Sequence, residues 1–231
     1  SEKEFYYKAA ADYGFTDAMI CLGDLIINEN SQMALDYYKM AADKNDPVGL
    51  YKYALMLYNG NGTQMNKVMA AKMLRKSAFK GNVDAMVMYG EMLLNGDGVK
   101  VNKQKASMIY KSAADKGSAK AMFEYGLMNY NGNGIKINKQ EGIKYLKLSA
   151  YNGFDKGISN YINILIKERA NVDKIEAKKY LKYMINNGNL DAIYAYGWYS
   201  LENIDEALNY FKIAAGHGNV SAMDQCGQIL I

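Results

Sequence analysis

Histidine and proline each occur once in this 231-residue chain, as His217 and Pro47, and cysteine only twice, as Cys21 and Cys226. A lone histidine between Gly216 and Gly218 cannot build a histidine-based triad, and zinc would need ligands that the two cysteines are not placed to give. Carboxylates are plentiful but scattered, and no pair sits in a context that implies a shared acid–base site. No apolar run approaches the ~18 residues of a membrane-spanning helix, and no signal-peptide pattern is visible. Charge of one sign is scarce as well: 28 basic residues stand against 24 acidic ones, for a net charge of +4. The lysines are spread over all units without forming a block, which reads as a solvated mixed surface and not as a nucleic-acid stripe. The expectation is therefore no catalytic residue, no metal, no cofactor and no nucleic acid.

What the chain does contain is one sentence written about six times. Residues 82–117, NVDAMVMYGEMLLNGDGVKVNKQKASMIYKSAADKG, are followed by SAKAMFEYGLMNYNGNGIKINKQEGIKYLKLSAYNG. Ala85 and Ala121, Gly90 and Gly126, Asn102 and Asn138 are all 36 residues apart. Such a period marks stacked supersecondary units, none of which buries its apolar face alone. Scarce proline, abundant alanine and the absence of polar–apolar alternation make the units helical. The expected fold is all-α, a right-handed superhelical solenoid of antiparallel helical hairpins forming a single repeat domain over 1–231.

The units are read as follows. Residues 1–14 hold the second helix of an incomplete unit; six units occupy 15–45, 46–81, 82–117, 118–153, 154–188 and 189–218; residues 219–231 are the first helix of a seventh. Starting and stopping mid-repeat, the chain is expected to be a piece of a longer protein, with end-to-end self-association through uncapped apolar faces. In one extended stack Cys21 and Cys226 stay far apart, so no intrachain disulfide is expected, and reduced thiols fit a cytoplasmic address.

Each unit has its own grammar. A small residue recurs mid-way along the first helix, as Gly23, Ala54, Gly90, Gly126 and Gly197, with Ile162 in the fifth copy. Mid-helix glycine costs about 1 kcal/mol relative to alanine, so it needs a packing reason. The expected reason is close approach by the small pairs of the second helix, such as Ala41–Ala42 and Ala113–Ala114. Asn30, Asn66, Asn102, Asn138, Asp173 and Asn203 each stand four positions before a small residue, as N-caps of the second helices. Glu141, Glu176 and Glu206 follow three of them at capping-box spacing. The loops NGNGTQM, NGDGVKV and NGNGIKI read as tight turns, because no Lys-Ser/Thr follows and only Asp97 offers a carboxylate for a cation. Units one and six lack this loop, and unit five reads KERANV in its place.

An alanine, Tyr/Leu-Gly five positions on, Gly-x-Gly-Val/Ile, a capping Asx and Tyr-Lys-x-Ala-Ala-x-x-Gly together resemble the Sel-one-like repeat, a relative of the tetratricopeptide repeat. The resemblance runs over nearly the whole chain and is strongest over 46–153. It implies a superhelix whose first helices line the concave face, and an adaptor role in signalling, in endoplasmic-reticulum-associated degradation or in contacts between bacteria and host proteins. The cysteine pair that some bacterial members carry in each repeat is missing.

Two, three and six places after the small residue that begins each first helix, the side chains leave the core stripe and vary between units. Tyr51, Lys52, Met88, Glu91, Phe123, Glu124, Asn160, Asn163, Tyr194 and Trp198 are the expected partner-binding residues, forming a concave groove for a peptide or partner helix. The apolar members of the set, Leu55, Leu127 and Val87 above all, are equally placed to cover contacts between units. The expected function is a non-catalytic protein–protein interaction scaffold or adaptor in a larger signalling or complex-assembly protein. Two alternatives are a regulatory array in a multidomain enzyme, such as one linked to a kinase, and a substrate-recognition segment of an endoplasmic-reticulum-associated degradation complex. The last would place the chain in the endoplasmic reticulum lumen or outside the cell and use the glycosylation sequons at Asn61 and Asn219.

Overall fold

A computed structural model describes residues 2–168 and 172–231, so part of the KERANV loop lies outside the described residues. The described residues form fourteen helices and no strand. The chain divides into two compact units, one reaching Gly142 and one beginning at Ile143. In the first unit lie α1 (Glu2–Asp12), α2 (Thr16–Ile26), α3 (Ser31–Asp43), α4 (Pro47–Asn59), α5 (Lys67–Phe79), α6 (Val83–Asn95), α7 (Lys103–Asp115) and α8 (Ala119–Asn131). After α9 (Lys139–Tyr151), the second unit holds α10 (Asp155–Lys167), α11 (Lys174–Asn186), α12 (Leu190–Tyr199), α13 (Ile204–Gly216) and α14 (Val220–Ile229).

Short connections make consecutive helices spatial neighbours. Within the first unit every helix from α1 to α7 packs on the next, and α11 to α14 do the same in the second. The cores repeat with them. Ala11 of α1, Met19 and Leu22 of α2 and Ala41 of α3 form one cluster, while Ile26, Tyr38 and Met56 from α2, α3 and α4 form the next. In the second unit Tyr161, Leu165, Leu181 and Tyr196 join α10, α11 and α12.

All six expected Asx caps are in place, each accepting a hydrogen bond from the backbone N–H three residues on. Asn66 and Asn102 also donate their own backbone N–H to the carbonyls of Leu57 and Leu93, both at 2.8 Å. One asparagine thereby ends the connection and starts the helix. Two of the three capping-box glutamates face a lysine: Glu176 pairs with Lys147 and Glu206 with Lys178, each linking two neighbouring second helices. A lysine facing the carboxylate draws it outward more strongly than the neutral N–H behind it.

The mid-helix glycines also need a correction. At Gly23, Gly90 and Gly197 the close neighbours are aromatic rings of the second helix, not its small pairs. A Cβ on Gly23 would lie 2.8 Å from Cζ of Tyr38, and one on Gly197 would lie 2.6 Å from Cε1 of Phe211. The small pairs instead receive the start of the next first helix, where a Cβ on Gly49 would lie 2.5 Å from that of Ala41. Two kinds of small residue thus serve two seams. Glycine admits a ring within a hairpin, and alanine lets one hairpin rest on the next.

The second glycine of each Gly-x-Gly loop serves a third seam. Gly98 has φ +65°, and a Cβ there would collide with the Lys67 carbonyl at the start of α5. The loop is a tight turn, as expected, and it also buttresses the preceding second helix.

Candidate functional site

The expected binding residues of the first unit separate into four groups. Tyr51 and Met88, half-buried on α4 and α6, line a cleft of about 320 Å³ whose rim includes Asp84, Glu91 and Lys120. Lys52 and Glu91 are held in ion pairs, Lys52 with Asp24 at 2.9 Å and Glu91 with Lys120, each joining the first helices of neighbouring copies. Phe123 is only 6% exposed and belongs to the core. Glu124 is half-buried beside Tyr110, whose phenol is pushed up by burial and then by the charges of Glu124 and Glu91. Val87 is buried too.

Negative charge dominates this cleft. Burial, followed by the charges of Asp84 and Glu91, raises the pKa of Tyr51 above its ordinary value, so its hydroxyl stays neutral and able to donate. At one end Asp97 accepts from Tyr58 Oη and Lys67 Nζ, both at 2.9 Å. Those two bonds, the lysine's first, hold its carboxyl below the usual range. The arrangement offers a donor hydroxyl and a thioether among carboxylates, which suits contact with a side chain.

In the second unit Asn160 and Asn163 share α10. Asn160 donates to the Lys156 carbonyl at 2.9 Å, back-bonding to its own helix, and Asn163 is exposed. Tyr194 and Trp198 form an aromatic group with Phe211, with Trp198 centred 6.3 Å from Tyr194 and 5.7 Å from Phe211. Both rings are half-buried and rest on the core, leaving one side toward solvent.

The expectation of evenly spread lysines fails in the first unit. Arg75 and Lys76 from α5, Lys80 just beyond it, Lys105 from α7 and Lys116 just beyond that helix line one groove beside Phe79 and Met108. The sequence carried the signal: residues 47–83 contain no aspartate or glutamate.

Among the described residues no three histidine, cysteine, aspartate or glutamate side chains come together as a metal site, and Cys21 and Cys226 are free thiols. None of the described helices is long and apolar enough to cross a membrane.

Comparison with solved structures finds the same fold. A Sel1 repeat protein from Oxalobacter formigenes is 25% identical with a TM-score of 0.68, over 89% of each chain. A protective antigen of uropathogenic Escherichia coli displaying an SLR fold, c5321, is 22% identical with a TM-score of 0.80. That match covers 98% of this chain and 51% of the other, so this chain spans about half the length of that relative. No curated protein matches the chain. The family model described as Sel1 repeat matches residues 8–46, 47–82, 83–118, 119–154 and 191–219, passing over the copy in which Ile162 replaces the glycine. Those matches cover well over half of the sequence and coincide with the Asx-capped, glycine-socketed hairpins, so the chain belongs to the Sel1 repeat family.

Proposed function

We propose that this chain is a non-catalytic scaffold that binds a partner protein on the face carrying its first helices, with the cleft between Tyr51 and Met88 as the principal contact. Sel1 repeats are generally protein–protein interaction modules and generally non-catalytic, which supplies the class. The observation that carries the reading is the combination of half-burial and variability at Tyr51 and Met88. Of their equivalents in the first unit, Ile20, Val87 and Phe123 are buried and Lys52 is ion-paired with Asp24, whereas these two are half-buried and line an open cleft. Aromatic anchors dominate interface energies, and a flexible thioether beside one adapts to the side chain it meets.

In the second unit the solvent-facing sides of Tyr194 and Trp198, with Asn163, offer a further contact of the same type. The test is affinity capture with the wild-type chain and with a Tyr51→Ala/Met88→Glu variant of equal thermal stability. The proposal requires the variant to lose partners that the wild type retains, and retention of the same set by both would refute it.

A further inference from the structure

The groove between α5 and α7 combines two features that a bare surface does not favour. Its cations Arg75, Lys76, Lys80 and Lys116 meet no carboxylate among the described residues, and no acidic side chain lines the groove. At its rim Phe79 is 93% exposed and Met108 69%, above a floor that includes Tyr89 and Ile109. The groove measures about 1100 Å³, room for several side chains of another chain.

Comparison of the copies makes Phe79 more informative than its exposure alone. The equivalent position holds Asp12, Asp43 and Asp115 in α1, α3 and α7, the other second helices lying wholly in the first unit, and Tyr151, Asn186 and Gly216 in α9, α11 and α13. Where three copies end the second helix on a carboxylate, this one has an aromatic ring, which removes the local negative charge and adds an apolar anchor. Mutual repulsion of clustered cations and exposure of a large ring both cost free energy, and one kind of occupant relieves both.

We propose that this groove docks an acidic segment of a partner protein, with aspartates or glutamates facing the cations and an aliphatic or aromatic side chain seated against Phe79 and Met108. A peptide fits better than the other polyanions. A bilayer surface calls for apolar groups that project together from a flat face, and here Tyr89 and Ile109 are recessed. Single-stranded nucleic acid calls for successive stacking rings, and only Phe79 presents one, since Tyr89 is 5% exposed. Methionine on the wall suits an adaptable peptide contact. The groove lies between second helices and does not depend on the first-helix reading.

The test is fluorescence anisotropy with a labelled synthetic peptide in which glutamates flank a leucine pair. The wild-type chain should bind it, more weakly as salt screens the cations. Phe79→Asp, which restores the carboxylate of the first-unit sister copies at an exposed site, should weaken binding at least about tenfold, as loss of an interface anchor does. Arg75→Glu, also exposed, should do the same and serves if the first variant is unstable. The proposal is overturned if the glutamate peptide fails to bind, if a lysine version binds equally well, or if neither substitution weakens binding. It is equally overturned if phosphatidylserine vesicles or an oligothymidylate bind while the peptide does not.

Discussion

Gly90 of α6 and Tyr110 of α7 meet inside one hairpin so closely that a Cβ on the glycine would lie 2.7 Å from Cε1 of the ring. Tyr110 is fully buried, so the ring has no room to retreat. The second copy solves the same problem with Ala54 and Leu74, both fully buried at the corresponding positions. Small and large therefore compensate across the hairpin. Gly90→Ala should destabilise by about 1–3 kcal/mol through overpacking, despite the ~1 kcal/mol that alanine gains in helix propensity. Adding Tyr110→Leu should recover part of that loss, a coupling that a double-mutant cycle in urea unfolding would measure.

Equivalent tyrosines should respond oppositely to loss of their hydroxyl. Tyr38 Oη donates to Asp24 at 2.6 Å, whereas the buried Tyr110 hydroxyl has no hydrogen-bond partner among the described residues. Tyr38→Phe should cost about 1.5–3 kcal/mol, the range for a bond to a charged group, and Tyr110→Phe should be neutral or stabilising. Thermal unfolding of the two variants side by side decides it.

The loop glycines separate backbone strain from collision. Gly117 has φ +93° with nothing within 4 Å of an added Cβ, whereas Gly98 has φ +65° and faces the Lys67 carbonyl. Gly117→Ala should cost about 1 kcal/mol for the left-handed backbone, and Gly98→Ala should cost clearly more because the loop must also lift from α5. Equal losses in calorimetry would remove the seam from the argument.

Asp97 should leave a mark on acid stability. Its carboxyl is held below the ordinary value of 3.8 by Lys67 and Tyr58. A depressed folded pKa gives stability that is present above 3.8 and is lost as pH falls through the lower folded value. Asn133 already accepts from Lys103 at the matching loop position, at 2.8 Å, so Asp97→Asn keeps the geometry without the charge. The variant should melt lower than wild type at neutral pH, with a flatter decline of Tm below about pH 4.

Helix boundaries and caps were legible because they rest on local chemistry: an asparagine before a small residue, a glycine where the backbone turns left-handed. A second cap series is written in the same local code. Asp46, Asn82, Ser118, Asn189 and Asn219 cap the first helices, each directly after the residue that closes the preceding helix. Asn219 looks like a glycosylation sequon and caps α14. The partners of the mid-helix glycines were not legible, since periodicity says which residues face inward and not which ring meets which socket. The ion pair of Lys52 with Asp24 depends likewise on a contact between copies, which one copy read by itself cannot reveal. The α5–α7 groove left a trace in composition, the acid-free run, but only folding brings Lys105 and Lys116 beside Arg75.

The central claim, that partners dock at the first-helix cleft, is tested most directly by photocrosslinking. A photoreactive residue placed at Met88 in the full chain should capture a partner protein, and one placed at Asp36, exposed on α3, should not. Adducts from Met88 alone are the predicted result; adducts of the same protein in equal yield from both positions, or from Asp36 only, would contradict it.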